Sequence, residues 1–176
     1  MFTIDHSQAA SGELPEGEYE CIVRYAGESV TTYNKTPYIN VTLVVRNDVK
    51  QPCQNQSIRH SIWHKKEPSQ ADLSCGGYSF KQIQTLSKAL GLQDGKSYEN
   101  LEDWCDDLTN KPVRITVEKE TYEGKTHSRV KWLNETKTKD CHHVWKDEEP
   151  DDDTPADKKS EKFEEVKTQS DDDLPF

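Results

Sequence analysis

This 176-residue chain has little hydrophobic content, 31%, and a single methionine, with a mean hydropathy of −1.02. No apolar run approaches the roughly 18 residues that a membrane-spanning helix needs. Met1-Phe2-Thr3 opens no basic-then-apolar leader, so no secretory signal is expected. The five cysteines (Cys21, Cys53, Cys75, Cys105 and Cys141) are odd in number and widely spaced, and no Cys-x-x-Cys pair occurs. They read as reduced thiols of a cytoplasmic protein, not a disulfide framework or a zinc module. Also lacking are a glycine-rich phosphate loop, a His-Glu-x-x-His pair and a nucleophile elbow. The expectation is therefore a non-enzyme without a cofactor. Cys141 and His143, with ligands brought from elsewhere, are the weaker alternative of a structural metal. No internal repeat is detected.

The residues before position 147 lack an excess of positive charge. They hold 19 basic and 20 acidic side chains, whereas 147–176 hold 4 and 13. The net −10 of the chain is thus segregated into one end. Such composition predicts a domain over 1–146 and a disordered acidic tail over 147–176. The tail ends in Asp171-Asp172-Asp173-Leu174-Pro175-Phe176. A purely solubilising tail has no need of a terminal Phe, so this end reads as a docking peptide.

Between these ends the hydrophobic period changes twice. Glu18–Thr32 reads as a strand with Tyr19, Cys21 and Val23 on one face, and Gly27 suggests a bulge or bend. Residues 33–37 form a hairpin loop. Tyr38–Asn47 alternates clearly through Ile39, Val41, Leu43 and Val45. Ser57–Lys66 is a third strand, with Ile58 and Ile62 in phase. Phe80, Ile83, Leu86 and Leu90 then recur at helical spacing. Ser79 and Gln82 have capping-box spacing, and Gly91 is placed as a stop. A second helix starts near Asn100, with Leu101, Trp104 and Leu108 on one side, and breaks at Asn110-Lys111-Pro112. Strands return over Val113–Lys119 and Lys125–Leu133, joined at Glu123-Gly124. The expected fold is mainly β: a five-stranded Greek-key barrel of the oligonucleotide/oligosaccharide-binding (OB) type, with a helical insert between strands three and four. An open sheet with a helix on one face is the alternative that strand order permits.

The terminal Asp-rich run before Leu-Pro-Phe resembles the tip of bacterial single-stranded DNA-binding proteins. Leu14-Pro15-Glu16-Gly17-Glu18-Tyr19, Tyr38-Ile39-Asn40-Val41, Ile62-Trp63, Tyr78-Ser79-Phe80-Lys81-Gln82-Ile83, Asn110-Lys111-Pro112-Val113 and Tyr122-Glu123-Gly124-Lys125 occur in an order similar to a phage and prophage family long catalogued as a domain of unknown function. The resemblance covers roughly residues 13–146 plus the tip. It implies sequence-independent binding of single-stranded DNA in phage replication or recombination, in the host cytoplasm.

That activity needs cations for phosphates and exposed rings for bases. The candidate nucleic-acid residues are Tyr33, Lys35, Arg59, Trp63, Lys65, Lys66, Arg114, Tyr122, Lys125, Arg129 and Lys131, with Arg24 and Tyr25 as further members of the same classes. Each aromatic also has an ordinary reading as core or rim packing. Trp104 and Trp132 are assigned to the core. The partner-binding residues are Asp171, Asp172, Asp173, Leu174, Pro175 and Phe176, directed at replication or recombination proteins. No membrane partner is expected, and a homo-oligomer is compatible with the pattern. The competing reading is a protein-interaction adaptor with a β-barrel body and an acidic docking tail, which the absence of net positive charge in the body favours.

Overall fold

A computed structural model describes residues 2–4 and 13–146. The chain divides into two units, Met1–His143 and Val144–Phe176, and the fold that follows is that of the first. Its elements run β1 (Gly17–Val30), β2 (Pro37–Val45), β3 (Ser57–Trp63), α1 (Gln70–Leu73), α2 (Phe80–Ala89), α3 (Leu101–Leu108), β4 (Pro112–Tyr122) and β5 (Lys125–Asn134). The five strands form one antiparallel sheet in the order β3-β2-β1-β4-β5. The sheet is open: among the described residues no hydrogen-bonded ladder joins β3 to β5. Cα atoms of these two edge strands nevertheless come within 8 Å of each other. Among the described residues, no helix is long and apolar enough to cross a membrane.

The inner face follows the period-two alternation. Tyr19, Cys21 and Val23 of β1, Ile39, Val41, Leu43 and Val45 of β2, Ile58 and Ile62 of β3, and Val113, Ile115 and Val117 of β4 are all buried. The helical insert covers this core. Ser79 caps α2 by accepting from the Gln82 amide, and Gly91 (φ 73°) follows its end. Ile83, Leu86, Ala89 and Leu90 are buried from the α2 segment, and Trp104, Cys105 and Leu108 from α3. The buried Trp104 indole donates to Ser87 Oγ at 2.9 Å, which satisfies its one polar atom. The short α1 escapes the periodicity because it is a single turn. Asp72 fixes it by accepting from the Ser69 and Phe80 amides, both at 2.9 Å, and so ties α1 to the start of α2.

Two β-bulges correct the strand reading. In β1 the register shifts between Val23 and Tyr25, so the bulge lies at Arg24 and not at Gly27. Val23 there exchanges hydrogen bonds with the chain leaving α3, donating to Lys111 O and accepting from Asn110 N. In β5 Trp132 pairs with Thr116 and Val130 with Val117, leaving Lys131 as the extra residue. Val130 is buried, and without the bulge Trp132 would follow it into the core. The extra residue turns it to the opposite face, where it is 60% exposed. The assignment of Trp132 to the core is therefore wrong, while that of Trp104 holds.

Candidate nucleic-acid interface

Outward positions of β1, β2 and β3 form a grid fixed by strand register. Its rows are Tyr25–Thr42–Arg59, Gly27–Asn40–Ser61 and Ser29–Tyr38–Trp63. These nine positions include no carboxylate, and Arg59 carries the only charge. Arg59 is exposed, and no described residue forms an ion pair with it. Trp63 is 48% exposed and its ring sits 4.9 Å from that of Tyr38, tilted by 36°. Tyr25 is 51% exposed, and its ring end lies over Gly27. A Cβ at Gly27 would come within 2.8 Å of Tyr25 Cζ and closer still to its hydroxyl. The φ of Gly27 is ordinary, so the missing side chain makes room for a ring and the backbone does not require glycine. At the centre, Asn40 Oδ1 is buried with no hydrogen-bond partner, alone in this among the described residues.

The β1–β2 loop stands at the Ser29–Trp63 end of the grid. It is held by Thr31, whose amide donates to Thr36 O and whose hydroxyl accepts from the Thr36 amide and bonds Asn34 Oδ1. Tyr33 projects from it at 97% exposure, and Lys35 sits beside it with φ 56°. Lys66 follows β3 at the same end. Neither lysine forms an ion pair with a described residue.

Other candidate cations are already engaged. Lys65 Nζ lies 2.9 Å from the Asp72 carboxylate. Arg114 is held between Glu18 and Glu20. Arg129 bridges Glu118 and Glu120, and Lys131 also meets Glu118, at 3.4 Å. Arg129, Glu118 and Glu120 belong to a two-stranded arm, because β4 and β5 stay paired beyond the last β1 partner, Val117. Tyr122, 70% exposed, and Lys125 are at its tip, where Glu123 and Gly124 both have the positive φ of a two-residue hairpin. The structure thus assembles Tyr33, Lys35, Arg59, Trp63 and Lys66 at one surface, adds Tyr25, and ties Lys65, Arg114, Arg129 and Lys131 to carboxylates.

The opposite half of the same outer face is covered. Segment 136–143 crosses it, fastened by the fully buried Arg46. The guanidinium donates to both Asp48 oxygens, to Thr138 O at 2.7 Å and to Asp140 O at 2.9 Å. This pairing holds the Asp48 carboxyl down at about 2. Buried Glu20 accepts from the Thr136 hydroxyl and the Lys137 amide. Ile22 and Val44, the adjacent outward pair, are buried as well. His143 Nδ1 accepts from the Asn47 amide at 3.1 Å, and burial pushes this imidazole below its ordinary range. Among the described residues no group of three His, Cys, Asp or Glu side chains is disposed to hold a metal. A groove of about 1150 Å³ runs along α2 and α3. Its charges are mixed, Lys88 and Lys96 against Asp94, Glu99 and Glu135, and suit no polyanion. The tip residues Asp171–Phe176, with the whole of 147–176, lie outside the described residues.

Fold and surface together define a mainly β protein with an open five-stranded sheet, a helical insert between β3 and β4, and a bare aromatic face on β1–β3. Residues 2–142 match the family described as "Protein of unknown function (DUF669)", and the chain belongs to that family. No curated protein matches it.

Proposed function

We propose that this protein binds single-stranded DNA without sequence preference, in phage replication or recombination, and that its acidic end recruits partner proteins. The reading rests on one observation: the β1–β3 grid has exposed rings at two corners, at a third an arginine with which no described residue forms an ion pair, and no carboxylate. Stacking on aromatic rings tolerates any base, and a positive edge tracks the phosphates. Duplex, with its bases stacked inside, offers such a face nothing to stack on. The strand order, the position of the helical insert and the approach of β3 to β5 support an OB-type barrel as the finer description, with the grid as its binding face. The acidic tail competes with phosphates for the same cations, and Asp171, Asp172, Asp173, Leu174, Pro175 and Phe176 form the docking peptide.

Fluorescence anisotropy with labelled oligo-dT and a matched duplex, at two salt concentrations, tests this. The single strand should bind more tightly, and its affinity should fall as salt rises. Equal affinity for duplex would sink the reading. Removing 147–176 should tighten binding at low salt, whereas removing Phe176 alone should leave it unchanged and abolish partner capture.

The adaptor reading keeps one specific observation in its favour, the neutralisation of Lys65, Arg114, Arg129 and Lys131 by nearby carboxylates. No binding of single strands by the protein lacking 147–176 would select it.

A further inference from the structure

Trp132 is a large aromatic assigned to the core that the structure places outside. A single device moves it, the extra residue Lys131 in β5. The same device operates in β1, where the bulge at Arg24 turns Tyr25 outward after Val23. Bulges of this kind re-aim side chains next to sites. An indole left 60% exposed gives up burial that a regular strand would have supplied.

The surroundings of Trp132 indicate what would cover it. Lys131 Nζ stands 5.9 Å from the ring centroid, so a cation accompanies the exposed face. Arg129, 49% exposed at its side chain, lies two residues before Lys131 on the same edge strand. That edge adjoins β3, since Cα atoms of β3 and β5 come within 8 Å. Burial holds His60 of β3 below its ordinary range, and the nearby Arg129 charge adds to the effect. Arg59, the charged corner of the grid, is next to His60 in the chain. Where β3 approaches β5, the β5 edge thus carries Arg129 and then Lys131, the latter beside an exposed indole. A polyanion with stackable bases matches that combination better than an apolar protein surface does. Glu118, which meets both Arg129 and Lys131, and Glu120, which also meets Arg129, are the carboxylates that phosphates would have to displace.

We propose that Trp132 and Lys131 form a second stacking station, which a single strand reaches only after filling the β1–β3 face and crossing from β3 to β5. This rests on the single-strand reading above and adds a length requirement to it: short oligomers use the first face, longer ones both.

The test compares full-length protein with Trp132→Ala, Trp132→Phe, Glu118→Gln and Trp63→Ala, using oligo-dT of about 8 and about 30 nucleotides. Circular dichroism melts check that each variant is folded. Trp132→Ala should weaken binding of the longer oligomer about tenfold and leave the shorter one unchanged. Trp132→Phe should restore most of the loss, and Glu118→Gln should tighten only the longer complex. If Trp132→Ala binds both lengths like wild type while Trp63→Ala weakens both, the second station is wrong and the function stands. Equal weakening at both lengths by Trp132→Ala would overturn the two-station geometry. Failure of wild type to bind either oligomer removes both proposals. If Trp132→Ala shifts sedimentation from oligomer to monomer with DNA binding intact, the indole is covered by a second copy and the station is likewise overturned.

Discussion

Strands β1 and β2 present one outer face that the protein treats in two ways. At one end Glu20, Ile22, Val44 and Arg46 point outward and are buried, with segment 136–143 fastened to Glu20 and Arg46. A few residues along the same strands, Tyr25 and Gly27 face outward from β1 and Tyr38 from β2, beside Trp63 of β3, and segment 136–143 is fastened to none of them. The covered end is polar where it meets its cover, and its charges are paired. The bare end has rings, small side chains and one arginine. The chain thus possesses a covering segment and lays it on the half that has fewer rings. Exposure of Tyr25 and Trp63 is a property of where the cover stops and of the bulge at Arg24.

The sharpest way to break this comparison is to unfasten the covered half. Arg46→Met leaves the Asp48 carboxylate with the His142 amide but without the guanidinium, and takes the same donor from the Thr138 and Asp140 carbonyls. Breaking a buried ion pair of this kind destabilises by about 3–5 kcal/mol. Urea unfolding should show that loss, while oligo-dT affinity of the folded protein stays near wild type. A small change in stability would mean that the segment is not held by Arg46.

Substitution on the bare half should do the reverse. Trp63→Ala or Tyr25→Ala should weaken single-strand binding by about 1–3 kcal/mol in anisotropy titrations. The stability change should be smaller, about 0.5–1.5 kcal/mol for Trp63 through its contact with Tyr38. If Trp63→Ala unfolds the domain instead, the residue is a core element and the face loses its main stacking group.

Gly27→Ala is a milder probe of the same half. Its backbone accepts alanine, so the main consequence is that the Tyr25 ring must lift off the sheet. Affinity should fall by less than for Tyr25→Ala, about 0.5–1 kcal/mol on the scale of base stacking. A Gly27→Ala protein with a larger loss than Tyr25→Ala would show that the glycine serves something other than the ring.

Acid should affect the covered half in a defined direction. The carboxyl of Asp48 is depressed in the folded protein, so its contribution is complete above the unfolded value of 3.8 and disappears as pH falls toward about 2. His60 and His143 are depressed by burial, so they act in the same sense from the unfolded value of 6.5 downward. Thermal melts should therefore lose stability in two stages as pH drops, first from about pH 6.5 and then below about pH 4. In Arg46→Met the second stage should shrink. An unchanged second stage would detach Asp48 from the effect.

Much of the inner face was legible from residue spacing alone. Ile39, Val41, Leu43 and Val45 alternate without interruption, and they are all buried. Ser79, Gly91 and Asn110-Lys111-Pro112 mark element ends through backbone chemistry that acts within a few residues. Tyr33 and Lys35 were readable as loop residues for the same reason. The bulges were not legible, because an extra residue in a strand leaves the local composition unchanged. Their effect is to reverse every side chain beyond them, and so Trp132 was misplaced. Gly27 reads as a bulge in the sequence, whereas in the fold it accommodates a ring two positions away. The capture of Lys65, Arg114, Arg129 and Lys131 by carboxylates was also hidden. Some partners are close in sequence, as Glu118 and Glu120 are to Arg129, but Glu18 lies 96 residues from Arg114.

By itself, then, the sequence determined the order of the strands and of α2 and α3, the inner face of the sheet up to its bulges, the cap of α2, and the segregation of charge toward 147–176. These follow from periodicity, turn chemistry and composition, which act over short stretches of chain. Tertiary structure alone decided which outward residues are bare, which cations are paired, and which way Tyr25 and Trp132 point. Those outcomes depend on strand register and on a covering segment more than 100 residues from β1, and neither is written in any local pattern.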